Sequence, residues 1–184
     1  ADLQLASSSP DGNHRFTYGA ELYLDDFTTS KRSFDLALGT VEEIKPGVPD
    51  GATYSSLGFY LQDEWRVADR ASLIAGARFS AYEAGGELDH PTEGLTQLDL
   101  ETDDLSFSVQ GVYSLTDQIN LVGGVSQGFR APNMEDFFGR VDFTSEIPNT
   151  SLVPEESINY EVGLKRQTAS SHANIALFYT DYTN

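Results

Sequence analysis

Ile119-Asn120-Leu121-Val122-Gly123-Gly124-Val125-Ser126-Gln127-Gly128-Phe129-Arg130-Ala131-Pro132 is an extended run that stops abruptly. Ile119, Leu121, Val125 and Phe129 fall on one side of a two-residue period, while Asn120, Ser126 and Arg130 fall on the other. That is the pattern of a strand with one apolar and one polar face. Pro132 has no donor N–H and ends the ladder. A polar stretch closing with Asn149-Thr150-Ser151-Leu152-Val153-Pro154-Glu155-Glu156 separates this run from the next one, which starts at Ile158.

The same alternation recurs on both sides of it. Apolar positions repeat at Phe16, Tyr18, Ala20, Leu22 and Leu24; at Leu57, Phe59, Leu61, Trp65 and Val67; and at Leu73, Ala75, Ala77, Phe79 and Ala81. They return at Leu105, Phe107, Val109 and Tyr113; at Ile158, Tyr160, Val162 and Leu164; and at Ala173, Ile175, Leu177 and Tyr179. No stretch has a helical period. The expectation is an all-β chain, an antiparallel up-and-down meander of about seven strands.

The links between strands alternate in length. Ala68-Asp69-Arg70, Thr116-Asp117-Gln118 and Thr168-Ala169-Ser170-Ser171 are tight hairpin links, whereas 28–53, 85–103 and 131–155 are long and polar. Soluble sandwiches turn tightly at both ends. Transmembrane barrels have short turns on one side and long loops on the other, with one lipid-facing and one lumenal residue in each pair. Trp65, Tyr113, Phe129 and Tyr179 lie near apolar-face strand ends, where an aromatic girdle belongs. An odd meander has two open edges, which lipid does not tolerate. The chain therefore reads as a partial segment of a larger transmembrane β-barrel, with three long extracellular loops. A soluble all-β binding domain is the alternative, because alternation alone does not distinguish lipid from a protein core.

Composition narrows the function classes. A net charge of −18, from 11 basic and 29 acidic residues, argues against nucleic acid as a partner. The absence of Cys removes disulfide scaffolds and thiolate chemistry. No apolar run reaches the ~20 residues of a membrane helix. Ala1-Asp2-Leu3-Gln4 lacks a signal pattern and the chain stops at Tyr182-Thr183-Asn184 after a strand-like run, which reads as an internal piece. No nucleophile, base and orienting group come together in the pattern, so no enzyme activity and no cofactor are expected.

Phe129-Arg130-Ala131-Pro132 followed by Asn149, Leu152, Pro154 and Glu155 resembles the barrel of TonB-dependent outer-membrane receptors. Gly58-Phe59-Tyr60-Leu61-Gln62-Asp63-Glu64-Trp65, Ala75-Gly76-Ala77-Arg78-Phe79, Asn159 to Lys165 and Ala176 to Asp181 are similar to further strands of that family, in its order. The resemblance implies a barrel of about 22 strands around a plug domain that this chain lacks. It implies a multi-pass β-barrel in the outer membrane of a Gram-negative cell, surrounded by outer-membrane lipid. It also implies energy-coupled uptake of a large scarce nutrient, driven by the TonB-ExbB-ExbD complex through the plug. An iron–siderophore chelate is the first cargo to consider, with haem or cobalamin as alternatives within the family and a passive porin as an alternative outside it.

Under that resemblance, Phe129, Arg130, Ala131, Pro132, Asn149, Leu152, Pro154 and Glu155 belong to the barrel rim. Arg130 is placed on the polar face, where its guanidinium meets lumenal or plug carboxylates. His90, Asp136, Phe137, Phe138 and Arg140 are the loop residues offered to a ligand. Residues 133–148 hold no His, which weighs against haem. Asp99, Glu101, Asp103 and Asp104 supply enough hard oxygen for Ca²⁺, yet without regular ligand spacing they also read as a solvated acidic surface.

Overall fold

The computed structural model describes residues 1–44, 46–90, 94–138 and 152–183; the side chains of 88–90, 94–96 and 137 lie outside that description. The strands are β1 (Asp2–Ser8), β2 (His14–Asp26), β3 (Lys31–Asp35), β4 (Thr40–Ile44), β5 (Thr53–Ala68), β6 (Ala71–His90), β7 (Gly94–Thr116), β8 (Ile119–Arg130), β9 (Glu155–Gln167) and β10 (His172–Thr183). One short helix, α1 (Met134–Phe138), follows β8. Eight strands form a single antiparallel sheet in the order β1-β2-β5-β6-β7-β8-β9-β10, and among the described residues β3 pairs only with β4. The all-β meander is therefore as expected, and it is an open segment of a barrel wall.

The strand count corrects the expectation of about seven. β1 is an additional sheet member, and the stretch 28–53 contains the β3–β4 hairpin. The argument from an odd number consequently lapses, but the open edges do not: among the described residues β1 and β10 each pair on one side only. The larger correction concerns 85–103, which is not a loop. β6 continues to His90 and β7 begins at Gly94, with rungs from Gly85↔Asp99 up to His90↔Gly94. At 23 residues β7 is roughly twice as long as the 9–11 residues a tilted membrane strand needs.

Among the described residues, nothing packs over the apolar face. Leu105 is 53% exposed, Val162 49% and Leu177 72%, although they sit mid-strand in the expected alternation. A sandwich would bury these side chains between two sheets, so the soluble reading fails. The only buried hydrophobic cluster among the described residues is small, Ala52, Ala84, Met134 and Phe138, and it sits at the long-loop end.

Register shows how the sheet is set. One row of mutually paired residues runs Ser7, Phe16, Asp63, Ala75, Val109, Val125, Tyr160 and Tyr179. The short-turn end of the strand lies one residue below this row in β1, at Ser8, and seven below it in β10, at His172. That stagger of about six residues over seven strand steps corresponds, at ~3.3 Å per residue and ~4.8 Å between strands, to a tilt of roughly 30°. Membrane barrels tilt their strands by about 35–45°.

Candidate functional site

The polar face is a wall of side chains lying across glycines. Arg78 of β6 reaches over Gly58 of β5 to Glu21 of β2, Nη2 to Oε2 at 2.5 Å, while its Nε donates to Ser80 Oγ at 3.0 Å. A Cβ on Gly58 would stand 2.6 Å from that guanidinium. Tyr60 repeats the device one strand earlier, crossing Gly19 to donate to Gln4 Oε1 at 3.1 Å. Each link spans three strands, so these glycines serve the close approach of a side chain rather than a turn. Tyr60, Gln62, Gly76, Arg78, Ser106 and Ser108 line a shallow hollow of ≈ 190 Å³ on this wall. That is below the roughly 300 Å³ at which small-molecule pockets begin.

The rim at the long-loop end is more elaborate. Arg130 ends β8 and forks: Nη1 donates to Glu155 Oε1 at 3.1 Å, the first residue of β9, and Nη2 to Asp136 Oδ2 at 2.7 Å, within α1. Asp136 is held in turn. Its N–H donates to Asn133 Oδ1 at 2.8 Å, and the Asn133 N–H donates back to Asp136 Oδ2 at 3.1 Å. This is a reciprocal cap at the start of α1, built from Asn and Asp in place of Ser/Thr and Glu/Gln. Pro132 is buried beneath it.

The cap aims the helix at the sheet. Met134 and Phe138 bury against Ala84 and Ala52, with Phe27, Val48, Tyr54, Leu98, Leu100 and Leu152 around them. Ala84 follows Arg78 in the two-residue period, so α1 lies across the polar face. Gly86 makes the contact feasible, because a Cβ there would stand 2.7 Å from Phe138 Cζ. Beside the helix, Tyr54, Tyr82 and Phe129 form an aromatic row with ring centroids 6.4 and 5.8 Å apart, so Phe129 joins the lumenal rim and not the lipid-facing girdle expected of it. Burial pushes the Tyr54 hydroxyl above its ordinary value, with smaller contributions from Tyr82 and Tyr23, so it remains a donor.

Several expected site residues change role. Arg130 is paired with carboxylates, as its position suggested, and they belong to α1 and to the next strand, β9. Phe138 offers nothing to a ligand, since it is fully buried. Leu152 packs on the same cluster and Pro154 directly precedes β9. Arg140 and Asn149, and the side chains of His90 and Phe137, lie outside the described residues. The calcium expectation is not met by this geometry: alternation along β7 puts Asp99, Glu101 and Asp103 on one face and Asp104 on the other. No group of three or more ligating side chains forms among the described residues.

Sequence reasoning also passed over two features. The Tyr54–Tyr82 pair went unseen because it joins strands about 28 positions apart in sequence, which no local pattern shows. Asp63 was legible: it interrupts the apolar set Leu57, Phe59, Leu61, Trp65 and Val67 with an acid.

Comparison with known proteins completes the description. A family model for the TonB-dependent receptor-like β-barrel matches residues 2–184. The chain is 28% identical over 182 residues to the iron-regulated outer membrane virulence protein of Vibrio cholerae, covering 95% of this chain and 23% of that protein. It is 30% identical over 158 residues to a hemin receptor of Yersinia enterocolitica, covering 74% of this chain and 22% of that one. The solved structure of the ferric yersiniabactin uptake receptor FyuA from Yersinia pestis superposes with a TM-score of 0.71 at 21% identity, over 98% of this chain and 28% of that one. The chain thus spans about a quarter of the length of the proteins it matches.

Proposed function

The chain belongs to the TonB-dependent receptor-like β-barrel family, and from that premise we propose that it forms part of the wall and rim of an outer-membrane receptor for ferric siderophores. Membership makes it a transport receptor and not an enzyme. The apolar face meets acyl chains, the polar face lines the lumen, and the long-loop end is extracellular. Cargo then passes on with work supplied by the TonB-ExbB-ExbD complex acting through a plug.

The observation that carries this reading is the rim. α1 folds inward over the lumenal wall and, with Tyr54, Tyr82 and Phe129, presents an aromatic, acid-flanked mouth. Such a mouth suits a bulky chelate held before transport better than free diffusion of small solutes. Among the similar proteins one is named a hemin receptor and another is named as iron-regulated, which supports an iron complex as the cargo. Haem is the second reading, favoured by the hemin receptor's similarity.

The test is uptake of radiolabelled ferric siderophores, and separately of hemin, by iron-starved cells carrying the complete receptor, with and without a functional TonB. Siderophore uptake that stops when TonB is removed is the expected result. Hemin uptake alone would select the second reading. Uptake indifferent to TonB would leave a passive pore and defeat both.

A further inference from the structure

Asp63 lies on the wrong face for an acid. It shares the lipid-facing side of β5 with Leu61 and Trp65, near the short-turn end. There it accepts a hydrogen bond from His14, Nδ1 to Oδ2 at 2.7 Å, while its Oδ1 is buried without any hydrogen-bond partner. His14 is the first residue of β2 and is set opposite Trp65 in the ladder, with Phe16 opposite Asp63. Its ring is stacked between two others: Phe16 at 5.8 Å and 5°, Trp65 at 5.4 Å and 11°. Three side chains, Asp63, Phe16 and Trp65, therefore fix one imidazole on the outside of the barrel, at the level where aromatic residues mark the membrane–water boundary. A lipid-facing carboxylate is costly to keep, and no strand contact needs this one.

We propose that His14, oriented by Asp63 and clamped by Phe16 and Trp65, binds the phosphate of a phospholipid in the periplasmic leaflet. In its cationic form the ring donates from both nitrogens. Nδ1 is committed to Asp63, and Nε2, which has no partner among the described residues, donates to a phosphate oxygen. The acyl chains of the same lipid continue up the apolar face past Leu61 and Phe59. Asp63 is a positioning residue in this arrangement, since it acts on the phosphate only through the ring it holds. The inference rests on the barrel and not on the cargo, so its failure would leave the uptake reading intact.

The complete receptor, purified in mild detergent and stripped of lipid, is offered phosphatidylglycerol or diacylglycerol with the same chains, and bound lipid is counted by native mass spectrometry. Wild type should retain the phospholipid about tenfold better, the scale of one charge-assisted hydrogen bond. Asp63→Asn should lower that preference several-fold. His14→Phe with Asp63→Ala removes both polar groups while keeping a ring in the stack, and should abolish it; heat-modifiable gel migration confirms that the barrel has folded. A wild-type receptor without preference, or a folded double variant that keeps it, overturns the proposal. Release of the lipid by millimolar inorganic phosphate would mean a free-anion site and would overturn the lipid assignment.

Discussion

Arg130 ties three pieces of chain together with one guanidinium. Its two bonds are about half exposed, so each contributes roughly 0.5–1 kcal/mol rather than the value of a buried pair. Arg130→Ala should leave the barrel folded and loosen α1, with amide exchange at Met134–Phe138 rising about fivefold; unchanged exchange would show that the buried Phe138 suffices. Asp11, in the turn between β1 and β2, makes a second prediction. The Ser9 hydroxyl, then the Asn13 N–H and side chain, hold its carboxyl down at about 2. A depressed pKa means the contribution is complete above the ordinary carboxylate value and is lost as pH falls from about 4 towards about 2. An NMR titration of this side chain in the folded protein should find its midpoint at about 2, and Ser9→Ala should move it upward. The Asn133–Asp136 cap was readable in advance as a helix start, yet a five-residue helix has no period to accompany it.

Strands were legible where one face is oily. β2, β5 and β8 to β10 were found in the correct order because lipid on one side and water on the other leave opposite signatures along the chain. The upper parts of β6 and β7 were missed because their outer face is acidic and wet, while the inner one, at Ala84, Gly86, Leu98 and Leu100, is covered by α1, which lies far along the chain. Glu87, Asp99, Glu101 and Asp103 read as a loop, while the ladder between the two strands holds them extended. β1 is only seven residues long and β3 and β4 five each, too short for alternation to stand out. The face assignment has a direct check in adjacent residues of β8. Val125→Arg places a charge in mid-membrane lipid and should cost about 2–4 kcal/mol; Ser126→Arg faces the lumen and should stay within roughly 0.5 kcal/mol. Urea unfolding of the complete receptor in bilayers measures both, and equal costs would refute the alternation.

At the scale of the whole molecule, the composition predicted a membrane protein only through its pattern, since the charge of −18 is that of a very soluble one. The charge collects in the loops, at strand ends and on the polar face, as at Glu21, Arg78 and Glu161, and leaves the lipid-facing positions nearly free of it, so the two statements are compatible. The β6–β7 hairpin is the feature with the widest reach. It rises above the hydrocarbon by roughly ten residues a strand, on the order of 25–30 Å after tilt. In the proposed outer-membrane setting the hairpin stands clear of the lipid surface. A peptide epitope inserted between His90 and Gly94 should accordingly be reached by antibody on intact cells, while one placed at Asp117 should not. In that setting, whatever approaches from outside, cargo or immunoglobulin, meets this promontory well before it meets the bilayer.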